Sequence, residues 1–96
     1  MRKIESRLLD AIKQRKDFRQ SNTQYFVDRG GLTGTVLLFG NRIATVAYDD
    51  ERRLTIYPDR DTFSRWPSVT TCSRLRALGI QCRKGGDAQN LEAVRH

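Results

Sequence analysis

The amino-terminal stretch has the hydrophobic periodicity of an amphipathic helix. Within residues 2–17, Ile4, Leu8 and Ile12 recur at intervals of four, which places them on one face of a helix with 3.6 residues per turn. The opposite face carries charged side chains, most of them lysine or arginine. We therefore expect one helix here, ending within residues 17–21.

The pattern then changes to a period of two, which indicates β-strands. Gly40 and Asn41 tolerate positive φ, so they are expected to form a two-residue hairpin loop between the second and third strands. The second strand is the most apolar run of the chain and is predicted at the centre of the sheet, with Phe39 and Phe26 in the core. The predicted strands cover residues 22–28, 35–39, 42–48 and 53–57.

A second helix is predicted after an irregular connection that begins at Pro58, since proline lacks the amide hydrogen that a strand needs. Ser68, Thr70 and Thr71 are candidate N-caps for this helix. Gly79 is expected to follow it as a left-handed residue. The helix would then end in a Schellman motif, in which the side chains of Leu75 and Ile80 touch.

These elements predict a single α+β domain over residues 1–84, followed by a flexible or weakly helical tail over residues 85–96. The expected order is helix, four strands, helix (α-β-β-β-β-α). A four-stranded antiparallel sheet with an N-terminal helix and a C-terminal helix on one face buries every apolar stripe. A chain of 96 residues supports one modest core, which association into a homo-oligomer would enlarge.

Positive charge is concentrated in two parts of the chain, whose formal net charge is +7. Residues 1–20 contain seven basic and three acidic side chains, and residues 62–84 contain five basic side chains and no acidic one. Segments of this kind attract phosphate backbones or acidic protein surfaces. The alternative interpretation is a solvated surface that keeps a small protein dissolved.

The sequence contains no recognisable enzyme active site. Its single histidine, His96, lies in the predicted tail, whereas histidine is the usual group for acid–base catalysis. Carboxylates near Asp49 and at Asp59 and Asp61 would suit the Mg²⁺ site of a nuclease, but solvated turn residues are the ordinary explanation. The glycines match neither the dinucleotide fingerprint nor the P-loop. We therefore predict no enzyme, no cofactor and no metal site.

The two cysteines, Cys72 and Cys82, are expected to be free thiols. Charged residues at the amino terminus interrupt any signal-like apolar stretch, and no run of 18 apolar residues exists. These features predict a cytoplasmic protein without membrane contact, in which a disulfide is disfavoured. Cys72 falls on the apolar face of the second helix, which favours a small core residue over a nucleophile.

Aromatic and basic residues provide the remaining candidate, a surface on which rings stack on bases and cations neutralise phosphates. Trp66 leads because it lies in a loop between Arg65 and the second helix, although a tryptophan that closes the edge of a small core is the competing interpretation. Tyr48 and Tyr57 fit the rim of the core and an exposed sheet face equally well. The candidate binding residues are Arg42, Arg53, Arg65, Trp66, Arg74, Arg76, Arg83 and Lys84.

Two stretches resemble small bacteriophage accessory proteins of unassigned function. Residues 36–44 (VLLFGNRIA) have their apolar strand and Gly-Asn turn, and residues 66–78 (WPSVTTCSRLRAL) have an aromatic before a Thr-Thr-x-x-Arg-Leu-x-Ala-Leu helix. The resemblance covers roughly residues 22–78. It departs at Phe39, where such proteins often have histidine, and in the basic first helix. It implies a phage-encoded accessory protein in the host bacterial cytosol, and it carries over no site residues.

Two functional hypotheses follow. The first is a nucleic-acid-binding accessory protein, with single strands among its ligands, whose cationic helices and loop aromatics hold the backbone. The second is a phage inhibitor that binds an acidic surface of a host complex, such as a polymerase, a nuclease or an antiviral defence complex. Both hypotheses depend on the two basic segments meeting beside exposed rings in the folded chain.

Overall fold

A computed structural model of the chain describes residues 3–49, 53–65, 69–82 and 91–96. The fold is of the α+β class, as the sequence predicts. Its elements in chain order are α1 (Lys3–Gln14), β1 (Phe18–Gln20), β2 (Thr23–Val27), β3 (Thr33–Leu38), β4 (Asn41–Tyr48), β5 (Leu54–Pro58), α2 (Arg60–Arg65), α3 (Val69–Ala77) and β6 (Val94–Arg95).

The prediction of a four-stranded sheet with one helix at each end is wrong. The strands form one six-stranded antiparallel sheet in the order β1-β2-β3-β4-β5-β6, and α2 and α3 lie between β5 and β6. The two strands that were not predicted are the edges, with three residues in β1 and two in β6. Strands this short contain too few alternations to be recognised from a period of two.

Helix α1 ends before the predicted boundary because the chain turns at Arg15, whose φ is +56°. The Lys16 amide donates to the Ala11 carbonyl at 3.0 Å and the Arg15 amide to the Ile12 carbonyl at 3.2 Å, which is the hydrogen-bond pattern of a Schellman motif. Glycine is the usual residue at this position. Because arginine occupies it here, the sequence gives no visible stop signal. The Arg15 guanidinium lies 4.6 Å from the centre of the Tyr48 ring, a cation–π contact that offsets part of the strain.

The ending of α3 agrees with the prediction in detail. Gly79 has φ +92°, the Ile80 amide donates to the Leu75 carbonyl at 3.0 Å, and the Gly79 amide donates to the Arg76 carbonyl at 2.9 Å. Leu75 and Ile80 are both fully buried. The predicted Schellman ending is therefore confirmed.

One face of the sheet, called the covered face below, packs against the helices. Its strand residues Tyr25, Val36, Val46 and Ile56 are completely shielded from solvent. Alternate residues of each strand point to this face, so the core of the described residues forms on this side of the sheet. The helices complete the same core with Leu8, Ile12, Phe63, Cys72 and Leu75, and Leu78 adds to it directly after α3.

Two tyrosines bring hydroxyl groups into this core. The Tyr48 hydroxyl lies 2.6 Å from the carbonyl oxygen of Ile12, which can only accept, so Tyr48 is the donor. The Tyr25 hydroxyl, 2.5 Å from that of Tyr48, therefore donates to it. Burial and the contact with Tyr48 raise the pKa of Tyr25, which keeps the phenol neutral. Gly34 provides the space for this ring, because a β-carbon there would overlap Tyr25.

The segment 91–96 is fixed to the rest of the fold. The amide and carbonyl of Leu54 both pair with His96, at 3.0 and 2.8 Å. The His96 ring lies 2.7 Å from the Leu78 carbonyl at the end of α3. Leu91 is buried, and its carbonyl accepts two hydrogen bonds from the Arg60 guanidinium. Part of the stretch predicted as a tail thus supplies β6, while residues 83–90 lie outside the described residues.

Candidate nucleic-acid interface

The second face of the sheet, called the open face below, carries the strand residues that point away from the core. The contacts that hold the two longer helices involve the covered face: Tyr48 bonds to Ile12 of α1, and Thr23 bonds to Arg74 of α3. Within the described residues, α1 and α3 therefore leave the open face accessible. Its side chains fall into three rows that run across the strands.

The middle row, called the aromatic row, consists of Phe26, Thr35, Thr45 and Tyr57, which are paired in register on β2, β3, β4 and β5. Phe26 is 42% exposed and Tyr57 is 49% exposed. Neighbouring strands lie about 4.8 Å apart, so the backbone positions that carry the two rings are separated by about 14 Å. The small threonine side chains between them leave a shallow trough with a ring on each side.

The next row toward the β3–β4 hairpin, called the cationic row, consists of Arg19, Gln24, Leu37 and Arg42 on β1 to β4. Both arginines are exposed. Arg42 reaches this face because of a β-bulge: Ala44 pairs with Val36 and Arg42 pairs with Leu37, which leaves one extra residue on β4. Without the bulge, the alternation from Ala44 would direct Arg42 to the covered face.

The third row lies at the other end of the open face and has a mixed charge. It consists of Thr33, Ala47, Thr55 and Arg95 on β3 to β6. The Arg95 guanidinium lies 3.7 Å from the Asp49 carboxylate, which also accepts a hydrogen bond from Thr55. Positive charge without a matching carboxylate is therefore greater at the hairpin end of this face.

Arg42 is held by a carboxylate at the start of α2. Its Nε lies 2.8 Å from Oδ2 of Asp59, while Oδ1 of Asp59 accepts the Thr62 amide at 3.0 Å as an N-cap. Burial alone would raise the pKa of Asp59, but the Thr62 amide and the Arg42 guanidinium outweigh it and lower the pKa below its usual value. The Arg42 side chain nevertheless remains 61% exposed and so is accessible to a ligand.

Two shallow grooves flank the Arg42–Asp59 pair. One, of about 430 Å³, extends along the aromatic row past Thr45 and Tyr57. The other, of about 460 Å³, extends toward α2 and is lined by Arg65 as well as Arg42. Asp61 lines both grooves and reduces their positive charge. Their open shape suits an extended chain that lies across the face rather than a small enclosed ligand.

Of the residues that the sequence predicts as binding residues, some are exposed in the structure, one is buried and three lie outside the described residues. Arg42 and Arg65 line one groove, and Arg53 is exposed at the start of β5. Arg74 is buried, with 4% of its surface exposed, and donates to the Thr23 hydroxyl at 3.1 Å, so it is not accessible to a partner in this fold. The Arg76 guanidinium donates to a backbone carbonyl, that of Cys82 at 2.6 Å. Trp66, Arg83 and Lys84 lie outside the described residues.

The cationic first helix and the exposed aromatic rings, which were predicted to act together, lie on opposite sides of the sheet. Helix α1 packs on the covered side of the sheet, next to α3. Its exposed cations include Arg7 and Lys13, whereas the rings of Phe26 and Tyr57 lie on the open face. The helices therefore add to the positive field of the whole protein, but the arginines next to the rings come from strands.

The prediction that Phe26 and Phe39 belong to the core is wrong. Phe26 shares its side of β2 with Gln24, and this alternation was a signal in the sequence that it faces solvent. Phe39 is 70% exposed because it lies in the β3–β4 hairpin loop rather than in the strand. The two loop residues are Phe39 and Gly40, not the predicted Gly40 and Asn41, because Asn41 already begins β4 and pairs with Leu38. Sequence reasoning thus missed two of the exposed rings of the structure.

The cysteines belong to the core. Cys72 and Cys82 are both buried and unpaired, which confirms the prediction of free thiols and of Cys72 as a core residue. Burial and a hydrogen bond with Cys72 raise the pKa of Cys82 to about 12. A thiol with such a pKa remains protonated near neutral pH and is a poor nucleophile.

The described residues offer neither a cluster of metal ligands nor a helix fit to span a membrane. They contain no group of three or more His, Cys, Asp or Glu side chains placed to hold a metal ion. None of their helices combines the length and the apolar character needed to cross a membrane.

Comparison with known proteins places the chain in a phage family. No curated protein and no solved structure matches it. The family model described as Kyanoviridae Gp96 protein matches residues 1–92, which is nearly the whole chain. This match supports the phage origin that the resemblance implied. The chain therefore belongs to the Kyanoviridae Gp96 family of phage proteins.

Proposed function

We propose that this phage protein is a nucleic-acid-binding accessory protein and that the open face of its sheet is the binding surface. The observation that carries the proposal is the alignment of two exposed rings, Phe26 and Tyr57, in one row beside a row that ends in Arg19 and Arg42. Aromatic rings stack on bases and arginines neutralise phosphates. These two interactions account for nucleic-acid binding that does not depend on base sequence.

Charge complementarity supports the choice of a polyanion. The net charge of +7 gives the whole protein a positive field that steers nucleic acid toward it. On the open face, Arg19 makes no ion pair with any described residue, and Arg65 adds a second cation next to Arg42. The carboxylate of Asp59 is already occupied by Arg42 and by the cap of α2, so it repels phosphate less than an unpaired carboxylate would.

The test compares equal losses of charge on the two sides of the sheet. Arg19→Gln combined with Arg65→Gln should weaken binding to a labelled mixed-sequence oligonucleotide about 10-fold or more, and should make the salt dependence of the affinity shallower. The matched control is Lys13→Gln combined with Lys16→Gln, which removes two exposed cations at the end of α1. This control should weaken binding by less than the first pair, since it changes only the long-range field.

Two results would overturn the proposal. One is the absence of binding at low salt. The other is an equal loss of affinity in both variant pairs, which would show that the open face is not the binding surface. A pull-down from nuclease-treated host lysate distinguishes the other hypothesis. One stoichiometric host protein, together with no oligonucleotide binding, would favour the host inhibitor.

A further inference from the structure

Phe39 occupies an unfavourable position at the tip of the β3–β4 hairpin. The two loop residues, Phe39 and Gly40, have φ values of +52° and +79°, so both are in the left-handed region, as in a type I′ turn. Asparagine, aspartate or glycine is preferred at the first position because a larger side chain is strained there. The ring is also 70% exposed. An apolar ring that is strained and in contact with water indicates a contact outside the chain.

The surrounding structure fixes this tip next to the cationic row. Leu37 and Arg42, which are paired in that row, are the open-face residues closest in sequence to the hairpin loop. The Phe39 amide donates to the Asn22 carbonyl at 2.8 Å, so the loop is held against the turn between β1 and β2. The Asn41 side chain also bonds to the Phe39 carbonyl, at 3.4 Å. Phe39 is therefore presented at a defined place at the end of the sheet.

From this arrangement we infer that the open face takes single-stranded nucleic acid, with Phe26, Tyr57 and Phe39 as stacking platforms for unpaired bases. The inference rests on the proposed function and names its ligand class. In a duplex, the flat faces of the bases are stacked on one another, and a protein meets only their edges in the grooves. The three exposed rings can therefore stack on the faces of unpaired bases, which a duplex does not expose.

The spacing of the site agrees with an extended strand. The backbones of Phe26 and Tyr57 stand about 14 Å apart across three strand spacings, so each ring is placed to stack on a different base. Thr35 and Thr45 between them leave room for the chain to pass. The arginines at the ends of the cationic row lie beside this path. Because every base has a stacking face, the affinity should depend little on sequence.

The experiment measures affinity for a single-stranded oligonucleotide and for a duplex of the same length at the same salt concentration. The wild-type protein should bind the single strand at least about 10-fold more tightly. Phe39→Leu and Tyr57→Leu should each weaken binding to the single strand by about 5- to 100-fold, which corresponds to the loss of one stacked base. Neither variant should change binding to the duplex by more than about 2-fold.

The matched control is Leu32→Ala. Leu32 is 67% exposed, nearly as much as Phe39, but it precedes β3 and so lies at the far end of that strand from the hairpin. The Leu32→Ala variant should bind the single strand and the duplex as wild type does. Circular dichroism should show the same fold in all variants. Equal binding of single strand and duplex, or equal losses for both in Phe39→Leu, would overturn the inference. If the ring variants bind normally while Arg19→Gln with Arg65→Gln binds weakly, nucleic-acid binding stands and the stacking of unpaired bases does not.

Discussion

The Nε atom of Arg42 lies 2.8 Å from Oδ2 of Asp59, and the same carboxylate caps helix α2 through the Thr62 amide. One side chain therefore links the beginning of β4 to the beginning of α2. The Asp59 amide adds a second link between these two elements, since it donates to the Ile43 carbonyl at 2.8 Å. The contact with Arg42, unlike this backbone bond, depends on the carboxylate of Asp59 remaining ionised.

The first prediction concerns the pH dependence of stability. The pKa of Asp59 is lower in the folded protein than in the unfolded chain, so the unfolded state takes up its proton first as pH falls. The contribution of Asp59 is complete above its ordinary pKa, near 4, and is lost as pH falls through the lowered value. Because Arg42 is largely exposed, we expect a loss of only about 0.5–1 kcal/mol.

Asp59→Asn provides the measurement. Asparagine can still cap α2 but cannot change its charge, so the variant should lose less stability than wild type between pH 5 and about pH 2. Urea denaturation at a series of pH values gives both slopes. Parallel curves for wild type and variant would contradict the prediction, because they would show that Asp59 has the same pKa in both states.

A second prediction follows from the direction of the tyrosine hydrogen bonds. Tyr48→Phe leaves the buried Tyr25 hydroxyl without its acceptor and removes one donor from the Ile12 carbonyl. Tyr25→Phe removes only a donor, because Tyr48 still bonds to Ile12. We expect Tyr48→Phe to lower the free energy of unfolding by about 1.5–3 kcal/mol and Tyr25→Phe by about 0.5–1.5 kcal/mol. Denaturant unfolding checks the order, and a larger effect of Tyr25→Phe would show that the loss of the Tyr48 donor does not dominate the stability of this hydrogen-bonded pair.

The third prediction separates stability from binding at Arg74. Its buried guanidinium bonds to the Thr23 hydroxyl on the covered face. Arg74→Ala should lower the free energy of unfolding by about 2–4 kcal/mol, since it leaves a cavity and unpaired polar groups. At a temperature where the variant is folded, its affinity for an oligonucleotide should stay within about 3-fold of wild type. A large loss of affinity without a loss of stability would place Arg74 in the interface.

The fourth prediction is that Phe39→Asn stabilises the fold while it weakens binding. Asn-Gly is the preferred pair for a type I′ loop, so the substitution should relieve strain and raise the free energy of unfolding by about 1 kcal/mol. The same change removes an exposed ring, so affinity for single-stranded DNA should fall. Thermal unfolding and a binding titration on one sample measure both effects. A decrease in stability would indicate that Phe39 packs within the fold.

Local signals in the sequence were sufficient for the central strands and for the end of α3. Gly79 marks the end of that helix because only glycine takes its backbone conformation without strain. The end of α1 shows the limit of such signals, since Arg15 takes a left-handed conformation that nothing in the sequence announces. Its stabilising contact is with Tyr48, a residue more than 30 positions away.

The open face could not be assembled from the sequence because it depends on register. Phe26 and Tyr57 share a row only through three successive strand pairings, and a slip of one residue would turn a ring to the other face. Arg42 faces outward because of a bulge, which interrupts the alternation that sequence reasoning relies on. The basic residues were visible in the sequence, but their distribution over two faces was not.

The consecutive order of the strands has a consequence for how the chain folds. From β1 to β5, each strand pairs with the one that follows it, so these pairings join residues that are close in sequence. Such low contact order favours rapid folding, because little chain entropy is lost before each pairing forms. Among the strands of the described residues, β6 is the one that returns over a long distance, after α2 and α3. We expect the β1–β5 meander to form first and His96 to join β5 as the last step of folding.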